Sequence, residues 1–153
     1  MQIEVADLKP QIALAMKKTG VTMDGIHKAI DEICGKLIPY LAEQGKEMTG
    51  PPYLAYMNAN DDFSQFDIEW GFPVGESVPV SGECYMSQTC AGKAIVATHK
   101  GPYSELNTTY GAIMEYAKTH SLESTGVYYD YYLSDPDQTP ESELLTQVVF
   151  PIK

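Results

Sequence analysis

The chain has no arginine, and this absence narrows the functions open to it. All 10 basic residues are lysines, against 21 aspartates and glutamates, so the formal net charge is −11. Arginine is the preferred residue for bidentate contacts to phosphates and bases, and a nucleic-acid-binding protein needs a basic surface that displaces counterions. The composition therefore predicts no direct contact with nucleic acid. An acidic surface suits solubility or a positively charged partner.

Cysteine is also scarce, and long apolar runs are absent. Cys34, Cys84 and Cys90 form no Cys-x-x-Cys pair, and the histidines are scattered without metal-ligand spacing. No glycine-rich phosphate loop or nucleophile elbow occurs. We therefore expect no metal, no cofactor and a reducing, cytoplasmic environment. Residues 1–5 lack the features of a signal peptide, and no apolar stretch has the length of a membrane span.

What the chain does contain is a repeated pattern. Phe72-Pro73-Val74 closes the first half and Phe150-Pro151-Ile152 closes the second, each after a strand, an amphipathic helix and two more strands. A chain of 153 residues with 44% hydrophobic residues can form one domain, or two small halves that share a core. We therefore predict an α+β fold made of two β-α-β-β modules, in pseudo-repeats of about residues 1–80 and 83–153.

Hydrophobic periodicity places the elements of each module. The first module is predicted to have strands at 11–16, 52–57 and 66–74 and a helix at 23–43, capped by Thr22 or Asp24, kinked or interrupted in its last turns at Pro39 and ended by Gly45. A glycine-rich link at 75–82 and one further strand at 84–90 follow. The second module is predicted to have strands at 93–99, 127–134 and 144–152 and a helix that starts at Ser104 and ends near 120. The buried helix stripes are expected to be Ile26, Ile30, Ile33, Leu37 and Leu41, and Leu106, Tyr110, Ile113, Met114 and Ala117.

One strand of each module is rich in tyrosine. Because strand side chains alternate between faces, Tyr128, Asp130 and Tyr132 share one face. If this face is covered, the carboxylate is hydrogen-bonded to tyrosine hydroxyls or available to an organic cation. If it is exposed, the tyrosines reflect β propensity alone. Overlaying the two modules places Leu54 on Asp130 and Tyr56 on Tyr132.

The strand that ends the first module carries an acid beside the only tryptophan. Glu69 alternates with Ile68 and Trp70, so it faces away from an apolar side that also includes Phe72. Glu69 is then either a solvated acid or a charged anchor, and Trp70 either fills the core or stacks on a ligand. In the overlay Gln147 takes the position of Glu69. An acid/base pair of Glu69 and Asp130 requires the two side chains to converge.

Four motifs in order resemble the GyrI-like small-molecule-binding superfamily, which includes bacterial transcription-activator effector-binding domains and the DNA gyrase inhibitor protein. The motifs are Ile68-Glu69-Trp70-Gly71-Phe72-Pro73-Val74, His99-Lys100-Gly101-Pro102-Tyr103, Asp130-Tyr131-Tyr132-Leu133-Ser134-Asp135-Pro136 and Thr146-Gln147-Val148-Val149-Phe150-Pro151-Ile152.

This resemblance implies tandem SHS2-like modules with two antiparallel-rich sheets, two main helices and a central cleft that binds hydrophobic, cationic or aromatic compounds. It implies a ligand anchor at Asp130, two residues before Tyr132, although relatives usually have the longer Glu there. A second family acid is replaced by the neutral Gln147, whereas Glu69 matches the family. The cleft charge is therefore expected mainly from Glu69.

We expect a stand-alone small-molecule-binding protein that contacts neither membrane nor nucleic acid. The resemblance leaves two alternatives open: a hydrolase of cyclopropane-bearing toxins that uses Glu69 or Asp130, and a module that acts on a protein partner such as gyrase or a regulator. The candidate ligand-binding residues are Glu69, Asp130, Tyr132, Tyr56, Leu54, Tyr128, Trp70 and Gln147.

Overall fold

A computed structural model describes residues 2–60, 62, 64–80, 82–135 and 137–153 of the chain. The chain divides into two compact units. The first unit is Pro10–Thr89, and the second unit combines the N-terminal residues up to Lys9 with Cys90–Lys153. The expected pseudo-repeats, about 1–80 and 83–153, divide the chain differently. Ser81 of the expected link and Pro136 of the third motif lie outside the described residues.

The first unit is an antiparallel sheet with one long helix. Its elements are β2 (Ile12–Val21), α1 (Ile26–Glu43), β3 (Tyr53–Met57), β4 (Phe66–Pro73) and β5 (Tyr85–Gln88). The strand order is β3-β4-β2-β5. Strand β5 pairs with β2 through Ile12–Ala15, so the strand expected at 84–90 completes the sheet of the first unit.

The second unit has the same plan. Its elements are β1 (Ile3–Leu8), β6 (Gly92–Lys100), α2 (Leu106–Thr119), β7 (Tyr128–Tyr132) and β8 (Leu145–Pro151). The strand order is β7-β8-β6-β1, again antiparallel throughout. Strand β1 was not predicted, because its sequence alternates between apolar and polar residues only over Ile3-Glu4-Val5 and each face of the strand carries one acid. The α+β fold with duplicated β-α-β-β modules is confirmed.

The ladder registers confirm the overlay of the two modules. Glu69 lies opposite Ala55 in the pairing of β4 with β3, and Gln147 lies opposite Tyr131 in the pairing of β8 with β7. Glu69 and Gln147 precede the closing Phe-Pro dipeptides of their modules by the same number of residues. Leu54 therefore corresponds to Asp130, Tyr56 to Tyr132 and Glu69 to Gln147.

The first helix differs from the sequence prediction at its start and at Pro39. It begins at Ile26, after a turn in which the Gly25 N–H donates to the carbonyl and hydroxyl oxygens of Thr22. Helix α1 continues through Pro39 to Glu43, although proline removes one backbone donor, so of the two expected outcomes the interruption is wrong. Gly45 follows the end of the helix with φ of 65°, the left-handed conformation expected there.

The second helix begins and packs differently from the prediction. Ser104 lies in a 3-10 turn, Tyr103–Glu105, so it is not the N-cap of α2, which begins at Leu106. Met114, expected in the buried stripe, is 54% exposed. The buried stripe of α2 instead includes Thr109, whose hydroxyl bonds to the ring of His99 on β6. In α1 the stripe includes Ala29, and Ile30 is only half-buried.

Each helix covers one face of its own sheet. In the first unit Lys18 of β2 forms an ion pair with Glu32 of α1, which places α1 on the face of β2 that carries Leu14 and Met16. In the second unit the core beneath α2 is formed by Ile95, Ala97, Leu106, Ile113, Val148 and Phe150. The alternation of side chains then fixes which residues face the helix and which face away. None of the described helices has both the length and the apolarity that a membrane span requires.

Two glycines inside the helices offer a test of this packing. Gly35 in α1 and Gly111 in α2 are exposed, and a Cβ at either position would meet nothing within 4 Å. We expect Gly35→Ala and Gly111→Ala each to raise the free energy of unfolding by about 0.5–1 kcal/mol, measured by urea denaturation, because alanine restricts the unfolded chain.

Gly45→Ala is the matched control for these two variants. Its Cβ would also meet nothing within 4 Å, but the backbone φ of 65° disfavours any side chain. We expect it to lower the free energy of unfolding by about 1 kcal/mol. Stabilisation by Gly45→Ala would contradict the described end of α1.

Candidate functional site

Glu69 lies on the face of the first-unit sheet that points away from α1. On this face of β4 its neighbours across the ladders are Ala55 of β3 and Lys17 of β2. The Glu69 side chain is half-buried, whereas Lys17 is exposed. No ion pair to Glu69 occurs within the part of the chain that the structure describes.

Three hydroxyl groups donate to the Glu69 carboxylate. Tyr53 donates to Oε2 at 2.8 Å, Ser87 donates to Oε2 at 3.0 Å, and Tyr85 donates to Oε1 at 2.6 Å. An ionised carboxylate has about four lone-pair sites, so these donors fix its orientation and use most of its acceptor capacity. All three donors are neutral, so the negative charge is stabilised in place without being neutralised.

Small residues beneath these side chains make the arrangement possible. Tyr85 on β5 lies opposite Ala15 on β2, which in turn lies opposite Gly71 on β4. Ser87 lies opposite Ala13 in the same way. Tyr85 and Ser87 of β5 therefore meet the Glu69 side chain above the alanines of β2. Larger residues at these positions would fill the space that the tyrosine rings now occupy.

Gly71 is in closest contact with the tyrosine cluster. A Cβ built at Gly71 would overlap the ring carbons and the hydroxyl oxygen of Tyr53. Tyr53 lies directly opposite Gly71 in the ladder and is fully buried. Its ring therefore lies across the bare backbone of β4, which brings its hydroxyl to Glu69, two residues along the strand.

The Glu69 charge also affects the acidity of its partner Tyr85. Burial raises the pKa of Tyr85 above its ordinary value, and the hydrogen bond to Glu69 and the negative charge of Glu69 raise it further. The neutral phenol is the form that can donate to the carboxylate. Tyr85 therefore remains a hydrogen-bond donor throughout the physiological pH range.

Asp130, the other candidate acid, occupies a different environment in the second unit. It is 1% exposed and accepts a hydrogen bond of 2.6 Å from the Tyr110 hydroxyl of α2, so it lies beneath the helix. Tyr128, on the same face, packs against Phe150 with ring centroids 4.6 Å apart. The covered-face interpretation of this strand, with the acid bonded to a tyrosine hydroxyl, agrees with these contacts.

Further polar groups are buried under α2. His99 Nε2 lies 3.1 Å from the carbonyl oxygen of Pro102, which can only accept, so in the neutral ring this nitrogen carries the proton. Nδ1 then accepts from the Thr109 hydroxyl at 2.7 Å. Thr146, opposite His99, is fully buried, and its hydroxyl has no hydrogen-bond partner among the described residues. The motif that opens the second helix thus has a structural role through His99.

The residues proposed from the sequence fall on two faces in each unit. In the first unit Leu54, Tyr56 and Trp70 lie on the α1 face, and Glu69 lies on the opposite face. In the second unit Tyr128, Asp130 and Tyr132 lie on the α2 face, and Gln147 lies on the opposite face. Tyr132 packs edge-on against Tyr103, with centroids 5.6 Å apart, and Trp70 packs edge-on against Phe72 at 6.1 Å.

The sequence-based site omitted the residues that contact Glu69. Tyr53, Tyr85, Ser87 and Gly71 were not assigned roles, because β5 is short and its pairing with β2 is not a local property of the sequence. The available signals were Gly71 inside an otherwise bulky strand and the small residues that alternate along β2. No group of three or more side chains of the types that ligate metals occurs in the described ranges.

Comparisons with known proteins identify a family model and several solved structures that this chain resembles. The family model of the GyrI-like small molecule binding domain matches residues 1–153. No curated protein matches the chain. Among solved structures, the EcmrR C-terminal domain has a TM-score of 0.81 and 18% identity, over 99% of this chain and 97% of that chain. The chain covers only 57% of the EcmrR chain in its complex with DNA, at 17% identity and a TM-score of 0.81.

Two further solved structures have the same fold at lower similarity. A hydrolase from Listeria innocua has a TM-score of 0.66 and 16% identity, over 99% of this chain and 92% of that chain. SAV2435, solved with bound tetraphenylphosphonium, has a TM-score of 0.70 and 12% identity, over 100% of this chain and 94% of that chain. At these identities the likenesses establish the fold.

The raised pKa of Tyr85 predicts how stability changes at alkaline pH. In the unfolded chain a tyrosine ionises at about pH 10. The folded protein holds the Tyr85 proton to higher pH. The contribution of Tyr85 to the free energy of unfolding is therefore fully present below the pKa of the unfolded chain, and it is lost as pH rises from there towards the higher pKa of the folded protein. We expect Tyr85→Phe to make the fall in unfolding free energy between about pH 10 and 11.5 less steep.

Glu69→Gln provides the second arm of this test. It keeps the Tyr85 hydroxyl but removes the charge that opposes its ionisation, so it should also reduce the steepness. Urea denaturation at a series of pH values gives the free energy of unfolding of the wild type, Tyr85→Phe and Glu69→Gln. Parallel pH profiles for wild type and Tyr85→Phe would contradict the described contact.

Proposed function

Because the chain belongs to the GyrI-like small molecule binding domain family, we propose that it binds hydrophobic compounds with positive charge or aromatic rings, anchored by Glu69. The observation that carries this proposal is the half-buried Glu69 carboxylate, held by three neutral hydroxyls and paired with no cation among the described residues. A negative charge fixed in this way favours a positively charged ligand group, because such a group gains attraction without displacing a protein cation.

The aromatic rings beside the carboxylate favour the same class of ligand. Tyr85 is half-buried, so part of its ring is available to a bound molecule. A cation above a tyrosine face gains about 0.5–2 kcal/mol, more when the site is desolvated. Three of the acceptor sites of Glu69 are occupied by hydroxyls. An amine could therefore form few additional hydrogen bonds to Glu69. A bulky cation with few N–H groups consequently has little disadvantage in hydrogen bonding relative to an amine.

Asp130 is proposed as a second, less accessible acid. It is almost completely buried beneath α2 and bonded to Tyr110, so a ligand would have to displace that contact to reach its carboxylate. Together with Tyr128, Tyr132, Leu54, Tyr56, Trp70 and Gln147, it remains in the proposed set of ligand-binding residues. Glu69 is the member of the set whose environment most favours an external charge.

A thermal-shift experiment tests the proposal with tetraphenylphosphonium, the cation bound in the SAV2435 structure. A ligand that binds only the folded state adds about 2.7 kcal/mol at one hundred times Kd, which for this chain length raises Tm by about 5–10 °C. We expect Glu69→Gln to weaken binding about tenfold or more, because it removes the charge and keeps the shape. Glu47→Gln, with the same change of charge at an exposed position of the first unit, should bind as the wild type does.

Triphenylphosphine oxide, which is neutral and also carries three phenyl rings, distinguishes charge recognition from general hydrophobic binding. We expect it to raise Tm much less than the phosphonium does. Equal shifts from both compounds, or unchanged phosphonium affinity in Glu69→Gln, would refute Glu69 as a cationic anchor.

A second candidate function is hydrolysis of reactive cyclopropane-bearing compounds. Its support is the carboxylate of Glu69 beside the Ser87 and Tyr85 hydroxyls, a combination able to accept a proton from water. If the chain turns over such a compound, Glu69→Gln should reduce kcat about a hundredfold or more while the protein stays folded. Product analysis by mass spectrometry measures this, and undiminished turnover in the variant would remove Glu69 from the mechanism.

We further propose a cytoplasmic location and action through a protein partner. Cys34, Cys84 and Cys90 are all free thiols, and burial raises the pKa of both Cys34 and Cys90 to about 11, so these two thiols are protonated and unreactive at neutral pH. The net charge of −11 opposes direct DNA contact. Any effect on transcription would therefore pass through contact with a protein partner, such as gyrase or a regulator.

A further inference from the structure

We infer that Gly71 is the positioning residue of the Glu69 site and that it acts through Tyr53. This inference rests on the proposed function of Glu69 as a ligand anchor. The absence of a side chain at Gly71 allows the Tyr53 ring to lie across β4, and this ring position sends the hydroxyl to Glu69 Oε2. Gly71 thereby determines how firmly the carboxylate is held, without contacting a ligand itself.

The geometry leaves Tyr53 little freedom to compensate for a side chain at position 71. Tyr53 is fully buried, and its ring atoms occupy the space where the Gly71 Cβ would lie. Its hydroxyl has one proton, and the acceptors near it include Glu69 Oε2 at 2.8 Å and the Gln88 carbonyl oxygen at 3.4 Å. A ring displaced by a methyl group would lose the shorter of these bonds. Glu69 would then be held only by Tyr85 and Ser87, both of which come from β5.

The second unit provides an internal comparison. Val149 occupies the position of Gly71, and Tyr129 occupies the position of Tyr53. Tyr129 stacks on Tyr131, with ring centroids 6.0 Å apart and planes at 14°, an alternative that the first unit does not offer because Ala55 stands at the position of Tyr131. The residue corresponding to Glu69 is the neutral Gln147. The glycine and the acid thus occur together in one copy and are both absent from the other.

A double-mutant cycle separates positioning from general stability. Gly71→Ala should weaken tetraphenylphosphonium binding about tenfold, the equivalent of one charge-assisted hydrogen bond. Tyr53→Phe keeps the ring and removes the hydroxyl, and it should weaken binding by a similar factor. The double variant should bind no more weakly than Tyr53→Phe, within about twofold, because the bond that Gly71 protects is already missing.

The effects on stability, unlike those on affinity, should be additive. The clash with the ring persists when tyrosine is replaced by phenylalanine, so Gly71→Ala should lower the urea midpoint equally in the wild-type protein and in the Tyr53→Phe variant. Additive losses in both stability and affinity would overturn the inference, as would a loss of stability with unchanged affinity.

A measurement without ligand distinguishes failure of this inference from failure of the proposed function. NMR cross-peaks between the Tyr53 ring protons and the Glu69 γ-protons should be present in the wild type and lost in Gly71→Ala. Their persistence in Gly71→Ala overturns the positioning role whether or not the phosphonium binds. Their loss, in a protein whose wild type fails to bind the phosphonium, supports the positioning role and refutes the cationic ligand.

Discussion

The hydrogen bonding of the Glu69 carboxylate is the constraint on which the first unit depends. A half-buried anion needs donors, and here they come from β3 and from two residues of β5, so one side chain links three strands of a four-stranded sheet. This requirement explains the small residues on the same face, since Ala13, Ala15 and Gly71 leave room for rings that cross the strands. The packing that holds the acid also leaves its charge uncompensated by any cation among the described residues, and this is the basis of the proposed cation site.

Duplication supplied the framework, and divergence between the copies supplied the chemistry. Both units have the same strand order and the same registers. In the first unit, however, the acid Glu69 lies among small residues, whereas in the second unit the neutral amide Gln147 lies beside bulkier ones. The second unit carries its acid on the other face, where Asp130 and Tyr110 form a polar contact inside a helix-covered core. In each unit tyrosine hydroxyls donate to a carboxylate, although the two carboxylates have different access to the solvent.

The accuracy of the sequence predictions depended on how local the deciding interactions were. Both helices and most strands followed from hydrophobic periodicity, and the Phe-Pro dipeptides gave a correct overlay of the modules. Met114 was assigned to the core because it is apolar and has helical spacing, whereas the polar Thr109 is buried with its hydroxyl bonded to His99 on a different element. Pro39 was expected to interrupt α1, but tertiary packing of the apolar stripe holds the helix together to Glu43.

The sequence by itself determined the duplicated α+β framework, the acidic, arginine-free surface and the identity of Glu69 as an acid facing away from the apolar side of its strand. These follow from composition and from alternation along single strands. Only the tertiary structure decided which residues hold Glu69, because Tyr53, Tyr85 and Ser87 reach it across strand pairings whose register no local pattern reveals. It also decided that Leu54, Tyr56 and Trp70 face α1, since which face a helix covers depends on the path of the whole chain.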